Sequence, residues 1–211
     1  MIIWVALTVI GVAGTLAAER HKRPVLRAVL KVVASVGFMC AAVASGALQT
    51  RYGQVILIGL ALSWFGDVFL LSRARGLFLA GLVSFLLAHV AYVTAFAVHG
   101  LDLWACLGAL VGVVVVGGAI LTWMFPSVPS DMRGPVVAYI VVISVMVMLS
   151  AGAVGAGGHF TMLLGGAAFY VSDVFVARDR FVAPGFSNAL CGLPIYYGAQ
   201  LLLAYTVSQV L

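Results

Sequence analysis

Two aspartates stand inside apolar stretches long enough to cross a membrane. The first lies in Leu62-Ser63-Trp64-Phe65-Gly66-Asp67-Val68-Phe69-Leu70-Leu71 and is followed by Ser72-Arg73-Ala74-Arg75. The second lies in Val171-Ser172-Asp173-Val174-Phe175-Val176-Ala177 and is followed by Arg178-Asp179-Arg180-Phe181. Each copy reads Asp-Val-Phe and then two arginines separated by one residue. An ionisable group in hydrocarbon is costly and rare unless it has a task. Two at matched places predict one shared intramembrane site. In such a pair one carboxyl is expected to stay protonated among apolar neighbours, its twin ionised through hydrogen bonds. That split supplies a general acid and a general base together. The competing reading has each aspartate cap a linker or pair with a neighbouring arginine at the membrane edge.

Other polar residues could serve the same site. His89 lies midway along an apolar segment, where an imidazole needs a carboxylate or a water as partner. Gln200 and Tyr139 could line the same cavity. Tyr196 and Tyr197 follow Pro194, which frees a backbone carbonyl; the alternative for these tyrosines is a place in the aromatic belt. Lys31 either snorkels to the surface or points inward to hold a phosphate. Lys31, Tyr196 and Tyr197 are therefore the candidate head-group contacts. No metal and no cofactor is expected, because zinc prefers several His or Cys ligands and only His89 is deep in a segment. Cys40, Cys106 and Cys191 fall in different apolar segments and read as packing residues. Gly155-Ala156-Gly157-Gly158 and Gly165-Gly166 read as tight linkers and close helix contacts.

The elements that must position these groups are helices in a bilayer. Of 211 residues, 64% are hydrophobic and 8% charged, and mean hydropathy is +1.22, whereas a soluble domain carries about 25% charged residues. One integral membrane domain is expected over residues 1–211. With about 20 apolar residues per span, eight spans are expected: 2–18, 26–48, 53–71, 77–98, 102–124, 135–155, 159–177 and 187–210. The first lacks the basic start of a signal peptide and reads as a retained helix. Ten of the 11 Lys and Arg residues lie at linkers after odd-numbered spans or adjoining helix ends, and only Arg51 lies opposite. This asymmetry predicts both termini outside the cytoplasm, in a bacterial inner (cell) membrane. The net charge of +5 is explained by topology rather than by nucleic acid. In this orientation each aspartate sits about one turn, roughly 6 Å, inside the cytoplasmic helix end. That depth suits a group meeting the glycerol region of a lipid.

The chain also aligns with itself. Asp67 matches Asp173 at an offset of 106, and Gly81-Leu82 matches Gly192-Leu193 at 111. The second offset sets His89 opposite Gln200, and an offset of 108 sets Lys31 opposite Tyr139. The expected fold is an all-α bundle of about eight transmembrane helices. Residues 1–100 and 101–211 would be parallel 4+4 repeat halves about an axis along the membrane normal.

With those residues identified, the sequence resembles the YhhN-like lysoplasmalogenase family of multi-span membrane proteins. The resemblance covers most of the chain. It is carried by Phe65-Gly66-Asp67-Val68-Phe69-Leu70-Leu71, by Phe78 and Gly81, and by Phe85-Leu86-Leu87-Ala88-His89-Val90-Ala91-Tyr92. Ser172-Asp173 and Tyr196-Tyr197-Gly198-Ala199-Gln200-Leu201-Leu202 complete it. One departure is Val32 after Lys31, where the family often has proline. The resemblance implies metal-independent hydrolysis of the vinyl ether of a lysoplasmalogen to a fatty aldehyde and a glycerophospho-base. Asp67 and Asp173 would be the catalytic pair, with His89, Gln200 and Tyr139 orienting. The implied partners are a lysolipid and membrane lipids, with a homo-oligomer left open. Two rivals remain: a proton-coupled small-molecule or lipid transporter and a non-catalytic lipid-binding protein.

Overall fold

The computed structural model describes residues 1–210, which fold into eight α-helices with no strand among the described residues. They are α1 (Ile2–Arg20), α2 (Pro24–Ala44), α3 (Arg51–Phe69), α4 (Arg75–His99), α5 (Leu103–Met124), α6 (Arg133–Gly155), α7 (Thr161–Ala177) and α8 (Phe186–Thr206). Seven helical segments among the described residues are long and apolar enough to cross a membrane. The remaining helix, α7, has 17 residues and runs on into a π-helical turn at Arg178–Val182. The protein is a polytopic all-α membrane bundle, as its composition predicts.

Local chemistry explains the boundaries. The α1–α2 link is only His21-Lys22-Arg23, with Lys22 at φ 54° and Pro24 in the first turn of α2, where its missing N–H costs nothing. Helix α2 stops at Ala44 rather than at 48, because Gly46 turns the chain at φ 90°. Thr50 caps α3 by accepting from the Gly53 N–H at 3.0 Å, and Asp102 caps α5 by accepting from Ala105 at 2.7 Å. These side chains replace orphan partners of the first turn.

Consecutive helices pack as antiparallel pairs, α1 with α2, α3 with α4, α5 with α6 and α7 with α8. The pairs are joined chiefly through α4 against α6, α2 against α3 and α6 against α7, with α2 against α8 closing the bundle. Helix α5 lies outermost, burying only Cys106, Gly117 and Met124. Its exposed Val111, Val114 and Val115 suit contact with lipid tails. At the centre, Phe38, Phe85, Phe169 and Tyr196 interlock edge to face, with Tyr92 tilted against Phe169. Gly66 makes room for the Phe85 ring, which a Cβ at that position would strike. This aromatic cluster forms the floor beneath the site.

Candidate active site

Helices α3 and α7 both run toward the bundle end that carries the arginine-rich linkers, and each delivers its aspartate there. Asp67 lies in the last turn of α3. Asp173 lies further from its end than expected, because the π-helical turn prolongs α7. That turn is held by Arg178 Nη1 donating to Asn188 Oδ1 at 2.6 Å and by Asp179 Oδ1 accepting from the Gly185 N–H at 2.9 Å. A cavity of about 300 Å³ runs from the linkers inward and is lined by both Asp67 and Asp173. The two carboxyls thus share one space, although they reside on helices from different ends of the chain.

Their partners differ. Asp67 is 2% exposed. Its Oδ1 faces the Lys31 ammonium at 3.1 Å. Its Oδ2 accepts from Ser35 Oγ at 2.7 Å and from the Tyr196 hydroxyl at 2.8 Å. Tyr197 backs this cluster, its hydroxyl 2.9 Å from Ser35 Oγ and 3.2 Å from the Lys31 carbonyl. A buried carboxylate with an ammonium and two hydroxyl donors is compensated in its ionised form. Asp173 has a 16% exposed side chain and accepts from the Tyr139 hydroxyl at 2.7 Å. His89 Nε2 stands 3.7 Å from Asp173 Oδ2, beyond hydrogen-bond reach. Among the described residues no lysine or arginine is paired with Asp173.

The expected residues are thus arranged as follows. Lys31, Tyr139 and Tyr196 line the cavity with the aspartates. Lys31, Tyr196 and Tyr197, expected at a head group, are instead engaged with Asp67 or its partners. Lys31 turns inward because Asp67 offers the compensating charge that a snorkelling lysine finds in water. Both tyrosines are buried rather than placed in an aromatic belt. His89 is fully buried between Tyr139 and Phe169, and neither ring nitrogen has a hydrogen-bond partner among the described residues. Gln200 lies behind the cavity, its Oε1 accepting from the Tyr92 hydroxyl at 2.8 Å. The arginines near the aspartates pair elsewhere, Arg73 with Asp179 at 3.4 Å and Arg75 with Asp131, which removes the competing membrane-edge pairing.

Sequence reasoning missed Ser35, Arg27 and Glu19. Ser35 is four residues after Lys31 and so shares its helix face, a signal that spacing alone could have supplied. Arg27 and Glu19 line the outer cavity and pair at 3.7 Å. The wall opposite is apolar, formed by Leu82, Ile120, Met124, Val136, Ile140 and Ile143. Among the described residues no group of three or more His, Cys, Asp or Glu is placed to hold a metal ion.

Fold and cavity define a class: a polytopic helix bundle with an acid-lined amphipathic cleft at one membrane face. Within that class the chain belongs to the YhhN family, whose profile matches residues 26–207. It is similar to lysoplasmalogenase TMEM86A of Bos taurus, at 33% identity over 161 residues, 73% of this chain and 65% of that protein. Lysoplasmalogenase TMEM86A of Homo sapiens is 30% identical with the same coverage. Lysoplasmalogenase TMEM86B of Homo sapiens is 30% identical over 82% of this chain and 70% of its own length. The alignment thus spans a little under two thirds of the TMEM86A relatives. No solved structure matches the chain.

Proposed function

We propose that this protein is a membrane-embedded hydrolase that cleaves the vinyl ether of a lysoplasmalogen-type lysolipid without a metal. The supporting observation is the pair of carboxyls lining one cavity, one matched by an ammonium and the other not. The names of the relatives point to the same chemistry. Asp173, with no cationic partner, is the general acid and donates its proton to the β-carbon of the vinyl ether. The resulting oxocarbenium ion is stabilised by the Asp67 carboxylate across the cavity. Asp67 then takes a proton from the water that adds at the α-carbon. As the hemiacetal collapses, Asp67 gives that proton to the leaving glycerol oxygen and Asp173 takes the hydroxyl proton. A fatty aldehyde and the alcohol of the glycerophospho-base are released, one water is consumed per bond broken, and both carboxyls return to their starting states. Tyr139 positions Asp173, and His89 supports that placement from behind. Lys31, Ser35 and Tyr196 hold Asp67 in place. The apolar wall takes the lipid tail.

We further take residues 1–100 and 101–211 as two copies of one four-helix unit. The arginine-rich linkers then face the cytoplasm and both termini lie outside it.

Mass spectrometry of a lysolipid panel incubated with detergent-purified protein tests the reading. Aldehyde released from the vinyl ether substrate, with none from the saturated ether, is the expected result. Binding without release of aldehyde removes the hydrolase reading and leaves the carrier or the lipid-binding protein.

A further inference from the structure

We propose that Arg27 is the residue that recognises the phosphate of the lysolipid, so that phosphorylated lysolipids are selected over neutral glycerol ethers. This rests on the lysolipid part of the reading above, not on turnover. Four cations line the cavity: Arg27, Lys31, Arg73 and Arg180. Three are engaged. Lys31 is paired with Asp67, and Arg73 with Asp179. Arg180 lies over the Phe78 ring at 4.2 Å and donates to the Arg73 carbonyl.

Arg27 is different. One terminal nitrogen, Nη2, donates to the Leu71 carbonyl at 3.0 Å, which fixes the guanidinium at the edge of the cleft. Nη1 is 3.7 Å from Glu19 Oε1, too long for a hydrogen bond. Nε is buried out of a ligand's reach, so the donors left for one are on the terminal nitrogens, chiefly Nη1. An anchored guanidinium with donors to spare fits a phosphate oxygen better than a point-like ammonium does. Among the described residues Glu19 is the one carboxylate paired with this guanidinium, and it has to yield as the phosphate arrives.

Spacing supports the assignment. Arg27 and Lys31 are four residues apart on α2, so Arg27 stands one helical turn, about 6 Å, nearer the mouth. A three-carbon glycerol carries its phosphate and its ether at opposite ends, a separation of the same order. Phosphate at Arg27 therefore leaves the ether bond at the level of Lys31 and its partner Asp67, inside the cavity that Asp173 also lines. The tail continues along the apolar wall.

The test is binding of two uncleavable ligands with the same chain, a saturated 1-alkyl lysophospholipid and the matching 1-alkylglycerol, read by native mass spectrometry. Arg27→Gln is expected to weaken the lysophospholipid tenfold or more and the alkylglycerol less than twofold. Equal weakening of both, or of neither, overturns the proposal. Arg27→Lys keeps the charge and loses the fork, and is expected to give a smaller but selective loss. It carries the comparison if the glutamine variant does not fold, and an unchanged ratio there is equally fatal. Displacement of the lysophospholipid by equimolar tail-less glycerophospho-base would assign the site to a soluble phosphate and overturn the lipid assignment. Because neither ligand is hydrolysed, a wild-type protein that releases no aldehyde sinks the hydrolase reading and leaves this result standing.

Discussion

Asp67 and Asp173 both line one cavity near the arginine-rich end of the bundle, yet their surroundings differ. Among the described residues, Asp67 is held from two neighbouring helices, whereas Asp173 has a single hydrogen-bond partner. Asp67 on α3 meets Lys31 and Ser35 from α2 and Tyr196 from α8. Asp173 on α7 meets Tyr139 from α6 and His89 from α4. Where Asp67 faces the ammonium of Lys31, Asp173 faces the phenol of Tyr139. That one difference decides which carboxyl has a compensating charge. Different partners are how two identical functional groups can be given opposite tasks.

The largest expected effect removes one member of the pair. Asp173→Asn and Asp67→Asn are each expected to lower the rate of aldehyde release by about 10²–10⁴-fold, the usual worth of a positioned acid or base. Both proteins should still extract as folded species. Either variant keeping wild-type turnover would strike that aspartate from the mechanism.

Next comes Lys31→Met, which leaves the Asp67 carboxylate buried without its cation. A loss of about 3–5 kcal/mol is expected on breaking a buried pair, seen as a lowered midpoint in thermal unfolding. Adding Asp67→Asn to Lys31→Met should restore much of that stability while leaving the protein inactive. The corresponding Tyr139→Phe change removes one neutral hydrogen bond near Asp173 and should cost only about 0.5–1.5 kcal/mol. If the two single variants prove equally destabilising, the electrostatic contrast between the two aspartates is lost. The smallest effect belongs to Arg75→Ala at the exposed pair with Asp131. That change is expected to shift stability by less than about 1 kcal/mol and to leave aldehyde release unchanged.

Much of this could be read before any coordinates. Asp67 and Asp173 stood out because a charge within a spanning segment is conspicuous. Ser35 was not conspicuous, since serine is common in apolar helices and gains meaning only from what it faces. The same holds for Arg27, which belongs to a basic cluster whose other members serve topology equally well. Tyr196 and Tyr197 are adjacent in sequence, yet only Tyr196 lines the cavity with Asp67. Neighbours on a helix point about 100° apart, and which of them meets a carboxylate depends on how α8 is rotated against α2 and α3.

The amino-acid sequence by itself determined that this chain lives in a bilayer as some eight helices, because hydropathy, span length and backbone satisfaction in lipid act locally. It also determined that two carboxyls would be carried inside apolar helices. Only the tertiary structure decided that Lys31 turns inward to Asp67, that Asp173 meets a phenol rather than a cation, and that Arg27 keeps donors free at the mouth. Those outcomes depend on helix rotation and on contacts between residues far apart in the chain, where a shift of one position exchanges one partner for another.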